Sequence, residues 1–356
     1  MFEDTKIIGA GINGLLCAYY LLKVGQRTIT VYDQATIPNP LSASFGKHRL
    51  IHPWHKNGCI QTAQKAISAL SLWQDILSDI GLDGFEQTGV FVLSDKPLAY
   101  QFLPHLSVEL LPAKTLAEQM PLFQDARCDL VYFFPQFGVL FADKILIRLC
   151  QYLETHGVRF YGGRSAVAVN TERGEARFCD GKTVAGDTMI IAAGWGTGAI
   201  LQSSFVKEGR LIPSFLPKRC YVVYVSHPKL IGNNAVPAWG SLGIGDLWGM
   251  PPLRDIPMKL GCGDFTRFCD PSAAEDPQVI GQQIVARYQN LFPQFEGLEI
   301  LASGFNHWAE TKTDQDYIQI DKAVIATSDN GAGFKFAPHV AYNLIKSLTG
   351  NVNLKG

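Results

Sequence analysis

Residues 5–33 read TKIIGAGINGLLCAYYLLKVGQRTITVYD, and this stretch decides the fold. A short apolar strand precedes Gly9, Gly11 and Gly14, which stand in the spacing GxGxxG, and an apolar helix and a second strand ending at Asp33 follow. Glycines at these positions allow a tight turn, close approach of the backbone to a pyrophosphate, and close packing of the helix on the strand. The order of these features predicts a βαβ unit that binds a dinucleotide.

Two further features of this stretch support that prediction. The helix would direct its free N–H groups and the positive end of its dipole at the phosphates. Asp33 follows the glycines by roughly twenty residues, the separation expected of an acid that binds a ribose hydroxyl. Because glycine turns are common, a βαβ turn without a ligand is the alternative interpretation.

Length and composition bound the class of protein. A chain of 356 residues predicts two domains, because a single core seldom grows that large. The formal net charge of -1 argues against strong attraction to nucleic acid or to an anionic membrane. The eight cysteines form no CxxC pair, so we expect reduced thiols and no metal. No basic segment precedes the first strand and no apolar run approaches ~20 residues, which predicts a cytoplasmic protein without an integral membrane segment.

Hydrophobic periodicity predicts the remaining elements. Helices are predicted over 60–80, over 113–118, from Asp143 to Gly157, and after the glycine-rich residues 330–336. Strands are predicted over 89–93, 158–161, 166–169, 188–195, 220–225, 317–320 and 323–326, and a hairpin turns at 180–181. The fold class is therefore α/β, with a Rossmann-like cofactor domain assembled from discontinuous segments and a substrate domain with a mainly antiparallel sheet. We expect the cofactor domain to comprise 1–86, 137–212 and 303–356, and the substrate domain 87–136 and 213–302.

The sequence resembles the D-amino acid oxidase superfamily of FAD enzymes, and within it the branch of monomeric sarcosine oxidase and N-methyl amino acid oxidases. The resemblance covers nearly the whole chain. It rests on five motifs in register, which are GAGING at 9–14 with Asp33, SFGKHRLI at 44–51, AAGW at 192–195, MKLG at 258–261 and GAGFKF at 331–336. The resemblance implies FAD, and the residues agree, because an NAD enzyme does not need a glycine-rich C-terminal loop that leads into a helix.

In the family, that loop brings a helix N-terminus toward the flavin ring, where the dipole favours negative charge on the reduced ring. An ordinary helix entry with helpful glycines is the alternative. The resemblance implies that the cofactor is bound by Gly9, Gly11, Ile12, Asn13, Gly14, Asp33, Gln34, Ser44, Arg49, Val167, Ala193, Gly194, Trp195, Gly331, Ala332, Gly333, Phe334 and Lys335.

Two cations are implied as catalytic groups. Lys259 matches a lysine that promotes the reaction with oxygen, where a fixed cation stabilises the developing negative charge. The alternative is a solvent-facing lysine on a strand. Arg49 matches an arginine near the flavin ring, or it pairs with a carboxylate at the domain interface.

Three residues are candidates for binding the substrate. The resemblance implies that Lys335 binds a carboxylate, and its flanking aromatics suit a partly dry pocket, although most lysines are solvated. His52 either contacts the substrate or is structural. Glu310 lies in a region that borders the flavin in the family, so it either faces an amine substrate or is an exposed carboxylate in a turn.

The sequence departs from the family pattern at three positions. His52 replaces a second carboxylate-binding arginine, and Gly263 replaces an active-site histidine, which opens volume and makes small glycine derivatives doubtful substrates. Trp308 stands where the cysteine of a covalent flavin linkage is expected, so we predict noncovalent FAD. His48, His52 and His55 form a histidine cluster, but Pro53 opposes a helix through them and no carboxylate is near in sequence, which argues against a metal.

These features predict an FAD-dependent oxidoreductase that oxidises the C–N bond of an amine or amino acid, with a secondary or bulky substrate. Hydride transfer to flavin N5 would give an imine and, with oxygen, hydrogen peroxide. The alternatives are a dehydrogenase that passes electrons to a quinone or protein acceptor, a catalytically inactive FAD-binding module, and an NAD-dependent dehydrogenase. The expected partners are a small-molecule substrate and an electron acceptor; the oligomeric state stays open, with a monomer among the options.

Overall fold

A computed structural model describes residues 3–54, 60–98, 103–124, 126, 128–204, 213–228, 236–313, 315–327 and 330–350. His55 and Cys59 lie outside these residues. The helices are α1 (Ile12–Lys23), α2 (Ile60–Asp79), α3 (Ala113–Gln119), α4 (Ala142–Thr155), α5 (Thr197–Gln202), α6 (Pro277–Leu291) and α7 (Gly333–Thr349). The strands of the N-terminal part are β1 (Asp4–Ile8), β2 (Thr28–Tyr32), β3 (Arg49–Ile51), β4 (Phe85–Glu86), β5 (Val90–Ser94), β6 (Glu109–Leu111), β7 (Leu130–Phe134), β8 (Gly138–Leu140), β9 (Arg159–Tyr161), β10 (Ala166–Asn170), β11 (Glu175–Phe178), β12 (Thr183–Ala185) and β13 (Thr188–Ile191). The C-terminal part adds β14 (Phe215–Ser226), β15 (Ala238–Leu242), β16 (Leu247–Met250), β17 (Met258–Cys262), β18 (Arg267–Phe268), β19 (Glu299–Thr311), β20 (Tyr317–Ile320) and β21 (Ala323–Ala326).

The first large sheet contains the predicted βαβ unit. Its strand order is β20-β21-β13-β1-β2-β9, and all neighbours are parallel except the antiparallel edge pair β20 and β21. Helices α1, α4 and α7 pack together with α2 over this sheet, and α1 buries Leu15, Leu16 and Leu21 in the shared core. Because parallel strands present their carboxyl ends at one edge, the glycine turn after β1 and the loop after β13 lie side by side.

The second large sheet is mainly antiparallel. Its strand order is β18-β14-β17-β16-β15-β5-β7-β6, and β19 also pairs with β14. The neighbours β15 and β5 are parallel. Helix α6 packs against β14 and β19, and large side chains such as Phe123, Trp239 and Tyr288 fill the core beneath. The predicted α/β fold class, with one Rossmann-like sheet and one mainly antiparallel sheet, is confirmed.

Two predicted element boundaries differ from the structure. The strand predicted over 188–195 ends at Ile191, and a turn of 3-10 helix follows at Gly194–Gly196. The last helix begins at Gly333, so Phe334, Lys335 and Phe336 occupy its first turns instead of a preceding loop. Packing explains the early start, because the Phe334 ring stacks on Trp73 with centroids 5.4 Å apart.

We propose that the chain divides into domains as the two large sheets suggest, at the boundaries expected from the sequence except the one at 302/303. Strand β19 pairs with β14 along its whole length and therefore crosses the boundary at 302/303.

Among the described helices, none has both the length and the apolar character required to cross a bilayer. The described residues also contain no group of three or more His, Cys, Asp or Glu side chains placed to hold a metal ion.

Candidate active site

A cavity of about 800 Å³ lies at the carboxyl edge of the parallel sheet and extends to the face of the antiparallel sheet. Nearly all of the predicted site residues line it. From the predicted set these are Gly9, Gly11, Ile12, Asn13, Asp33, Gln34, Ser44, Arg49, His52, Ala193, Gly194, Trp195, Lys259, Glu310, Gly331, Ala332, Gly333, Phe334 and Lys335. Gly14 and Val167 are not in the lining: Gly14 packs α1 against β1, and Val167 lies on β10 in a separate three-stranded sheet.

The glycine turn forms one end of the cavity. Gly9 has a φ of +106°, and a Cβ there would collide with the carbonyl oxygen of Ala192. Gly11 is the N-cap of α1 and supplies no side chain, while the backbone N–H of Ile12 donates to Ser44 Oγ at 2.9 Å. Asn13 Oδ1 is a buried acceptor without a hydrogen-bond partner in the described residues. A helix N-terminus whose N-cap residue has no side chain, and which the backbone can approach closely, fits a pyrophosphate.

Asp33 is held rigidly beside this turn. Its Oδ2 accepts from the backbone N–H of Ala10 at 2.8 Å, and its Oδ1 accepts from Ala35 N and Asn39 Nδ2, both at 3.0 Å. Because each carboxylate oxygen can accept two hydrogen bonds, Oδ2 keeps the capacity for one more donor. The cavity-lining carboxylate therefore fits a ribose hydroxyl, and together with the glycine turn it fits the nucleotide part of FAD.

Two basic side chains, Lys259 and Arg49, lie together on one wall of the same cavity. Lys259 Nζ donates to the carbonyl oxygen of His48 at 3.3 Å, and the side chain lies within 6 Å of the ring centroids of Tyr224 and Trp248. The residue is only 2% exposed, so the alternative of a solvent-facing lysine is wrong. Burial, followed by the charge of Arg49, holds the pKa of Lys259 well below its usual range.

Arg49 is bound by backbone carbonyls. Its guanidinium donates to the oxygens of Ala43, Phe45 and His48 at 2.8–3.0 Å. The alternative interpretation of the sequence was that Arg49 pairs with a carboxylate at the domain interface. Among the described residues, the hydrogen-bond acceptors of its guanidinium are instead these three backbone carbonyls.

Lys335 reaches the cavity from the first turn of α7. Its Nζ lies 3.0 Å from Nε2 and 3.4 Å from Nδ1 of His52. The His52 ring packs on Trp54, and the two ring centroids are 3.6 Å apart. Lys335 is only 5% exposed, so the alternative of a solvated lysine is wrong. Burial, followed by the charge of Lys65, lowers the pKa of Lys335 to about 7.

Glu310 does not lie in an exposed turn. It belongs to β19, is half-buried, and its Oε1 accepts from Lys218 Nζ at 2.6 Å. Lys218 Nζ also lies 5.5 Å from the centroid of Trp308. The backbones of Ala309 and Thr311 hydrogen-bond to Asn330, which ties this end of β19 to the glycine-rich loop before α7.

Two positions noted in the sequence, Gly263 and Trp308, line the cavity. Gly263 follows β17, lines the cavity and leaves it without a side chain at that point. The Trp308 ring lies against Gly331, where an added Cβ would be 3.4 Å from the ring. Among the described residues, Cys220 is the one cysteine in the lining, and burial raises the pKa of its thiol.

Sequence reasoning missed several lining residues. Lys218 was not predicted, because its pairing with Glu310 depends on the register that places Leu216 opposite Glu310 and Lys218 opposite Trp308. Trp248 was not predicted either. Its ring occupies the space above Gly261, where any Cβ would collide with it, and this glycine in the MKLG motif was the signal that could have indicated a covering aromatic.

A family model described as DAO, FAD dependent oxidoreductase, matches residues 4–346. Monomeric sarcosine oxidase of Bacillus sp. (strain NS-129) is 24% identical, over 97% of this chain and 92% of the relative. Peroxisomal sarcosine oxidase of Mus musculus is 22% identical, over 95% of this chain and 90% of the relative. The predicted resemblance is thereby confirmed.

Solved structures share the fold at lower identity. L-proline dehydrogenase from P. horikoshii superposes with a TM-score of 0.81 at 16% identity, covering 99% of this chain and 95% of that one. Fructosyl amine:oxygen oxidoreductase (Amadoriase I) from Aspergillus fumigatus gives a TM-score of 0.76 at 17% identity, covering 99% and 87%. The family model matches almost the whole length of this chain, and the cavity fits the nucleotide part of the FAD that the family uses. This chain belongs to the DAO family of FAD-dependent oxidoreductases.

Proposed function

We propose that this chain oxidises the C–N bond of an amine or amino acid, with a secondary or bulky substrate, and that oxygen accepts the electrons. The observation that carries the proposal is the buried ammonium of Lys335, which faces the cavity without a carboxylate partner among the described residues. A buried cation of this kind gains free energy when an anionic group binds beside it. The names of the relatives, which include sarcosine oxidase and L-proline dehydrogenase, agree with an amino acid substrate.

The cofactor would be held without a covalent bond. The glycine turn and Asp33 would bind the nucleotide part, and Gly331 to Gly333 would approach the ring from the N-terminus of α7. Trp308 offers no thiol, and the protonated Cys220 is a poor nucleophile. Acid precipitation should therefore release the yellow colour into the supernatant; colour that stays with the precipitate would contradict noncovalent binding.

Lys335 and His52 would bind and orient the carboxylate of the substrate. Trp54 supports the His52 ring, so both polar groups are presented from fixed positions. Glu310 lines the same cavity, and it has one oxygen held by Lys218 and a second oxygen that could accept from an amine. When bound, FAD supplies the two-electron chemistry that converts an amine to an imine and, with oxygen, forms hydrogen peroxide.

Lys259 and Arg49 would provide fixed positive charge where negative charge develops during the reaction with oxygen. Gly263 lines the same cavity and adds no side chain to it, which is why we propose a bulky or secondary substrate.

The test is an anaerobic absorbance scan of the FAD-loaded protein with a panel of primary, N-methyl and cyclic amino acids, followed by admission of air. Bleaching by one class of substrate and rapid recovery of colour in air would establish an amine oxidase. Bleaching with slow recovery would indicate a dehydrogenase that uses another acceptor. FAD binding without bleaching by any member of the panel would favour an inactive binding module.

A further inference from the structure

The carboxylate of Asp33 is buried at the nucleotide end of the cavity. The residue is 8% exposed and takes part in none of the ion pairs found among the described residues. A buried carboxylate costs free energy unless hydrogen bonds replace those it made to water. Two of its three donors are the backbone N–H groups of Ala10 and Ala35, and the third is the side-chain amide of Asn39. Asn39 therefore supplies the donor, among these three, that depends on the identity of a side chain.

Asn39 is itself buried, and both ends of its amide are engaged. The residue is 4% exposed, its Nδ2 donates to Asp33 Oδ1 at 3.0 Å, and its Oδ1 accepts from the backbone N–H of Leu41 at 2.9 Å. Turning the amide over would set its oxygen against the carboxylate and its NH2 group against the N–H of Leu41. The amide therefore has one favourable orientation, and that orientation directs a donor at Asp33.

The loop that begins at Asn39 also reaches the N-terminus of α1. The backbone carbonyl of Asn39 accepts from the N–H of Ser42 at 3.1 Å, and residues 41–44 line the cavity. Ser44 Oγ, at the end of this loop, accepts from the backbone N–H of Ile12. The same asparagine thus contacts the candidate ribose-binding carboxylate and starts the turn that faces the candidate pyrophosphate site.

We propose that Asn39 is a positioning residue of the cofactor site, which holds the Asp33 carboxylate in the orientation that accepts a hydrogen bond from the adenosine ribose of FAD. The inference goes beyond the proposed function, because it concerns the cofactor of the family and does not depend on which amine is oxidised. With Asn39 on Oδ1, the Oδ2 atom stays beside Ala10 and keeps its capacity for one more donor. Loss of the amide removes one of three contacts that fix the carboxylate.

The first test measures binding of FAD to the whole chain freed of cofactor, by the change in flavin fluorescence. Asn39→Ala should weaken binding by about tenfold, as expected for loss of one hydrogen bond to a charged group. Asn39→Asp keeps an oxygen for the Leu41 N–H but sets a like charge against Asp33, so it should weaken binding at least as much. The matched control is Asn170→Ala, which should bind FAD like the wild type. Asn170 Oδ1 also accepts a backbone N–H, that of Arg173 at 3.1 Å, but it lies on β10 and outside the cavity lining.

A second measurement separates the positioning of Asp33 from a general effect on the loop. ADP and 2′,3′-dideoxy-ADP are used as competitors of FAD, and the ratio of their dissociation constants measures what the ribose hydroxyls contribute. The ratio should be about tenfold or more for the wild type and about threefold or less for Asn39→Ala, because the ribose contact and the Asn39 contact share one carboxylate. A variant that only disturbed the loop would weaken both competitors and leave the ratio unchanged.

Wild-type affinity for FAD in Asn39→Asp would overturn the proposal, because the residue would then only shape the turn to Leu41. An unchanged ratio in Asn39→Ala, a wild type that does not distinguish the two competitors, or no competition by ADP would overturn it as well. If Asn39→Ala fails to fold, the ratio is measured in Asn39→Asp, which retains the contact with Leu41. Failure of the proposed function is a separate result, because an amine panel that never bleaches the flavin leaves these binding constants, measured without substrate, in the expected order.

Discussion

Arg49 and Lys259 donate to the same acceptor, the carbonyl oxygen of His48, at 3.0 and 3.3 Å. The two basic side chains come from β3 of one sheet and β17 of another, and neither takes part in any of the ion pairs found among the described residues. The His48 ring is fully buried, and burial with the charges of Lys259 and Arg49 lowers its pKa to about 2, so the imidazole is neutral. One backbone oxygen thus holds the Arg49 guanidinium and the Lys259 amine side by side on the cavity wall. The pKa of Lys259 is lowered there, and a negative charge that develops beside the amine would favour its protonation and be stabilised by it.

The first prediction concerns Lys259. Lys259→Met should slow the recovery of flavin colour in air by about 100-fold or more, the effect of removing one preorganised electrostatic group. The rate of anaerobic bleaching by substrate should change much less, because the lysine is assigned to the reaction with oxygen. Stopped-flow absorbance measures both steps. Recovery in air at the wild-type rate would remove Lys259 from that role, and the exposed Lys114→Met serves as the control.

The second prediction concerns the stability contributed by Lys335. Because burial lowers its pKa to about 7, the unfolded chain binds a proton that the folded chain lacks between pH 7 and the ordinary lysine range. Stability therefore rises with pH across that window, and the unfavourable contribution is fully present below pH 7. Lys335→Met should raise the free energy of unfolding at pH 6 by an amount on the order of a few kcal/mol, and by less at pH 9.

Thermal unfolding of the wild type and the variant at the two pH values provides the measurement. A variant that is less stable than the wild type at pH 6 would show that Lys335 is a structural lysine. Higher stability with loss of substrate binding is the outcome expected when a buried charge is kept for function.

The third prediction concerns the nucleotide site. A Cβ at Gly11 would lie 3.2 Å from Ser44 Oγ and would occupy the space over the N-terminus of α1, so Gly11→Ala should fold but bind FAD at least tenfold more weakly. Gly304 in β19 has no atom within 4 Å of an added Cβ, which makes Gly304→Ala the matched control. Equilibrium binding of FAD to the two apoproteins compares them. Equal affinities would place the pyrophosphate elsewhere.

The fourth prediction concerns the size of the substrate. Gly263→Leu should lower the rate of bleaching by bulky substrates more than tenfold while it spares the smallest substrates, because the added side chain would fill the part of the cavity that Gly263 lines. The ratio of kcat/KM values for a large and a small substrate measures the effect. A ratio unchanged by the substitution would mean that the substrate does not extend toward Gly263.

The nucleotide half of the site could be predicted from the sequence, because GxGxxG, the helix and Asp33 are local features whose geometry follows from the backbone. The roles of Lys335 and Lys259 were suggested by family motifs, but their burial could not be known. The contact of His52 with Lys335 joins residues far apart in the chain, and the Lys218–Glu310 pair depends on the register of β14 and β19. Such long-range pairings carry no local pattern.

The most direct test of the proposed chemistry compares an amino acid that bleaches the flavin with the amine formed by removing its carboxylate. Both compounds contain the same C–N bond, so any difference in the anaerobic bleaching rate measures the contribution of the carboxylate. Recognition by Lys335 and His52 predicts that the amino acid reacts at least 100-fold faster at subsaturating concentration, which corresponds to about 2.7 kcal/mol. Equal rates for the two compounds would contradict the account, because the buried Lys335 would then have no part in binding the substrate.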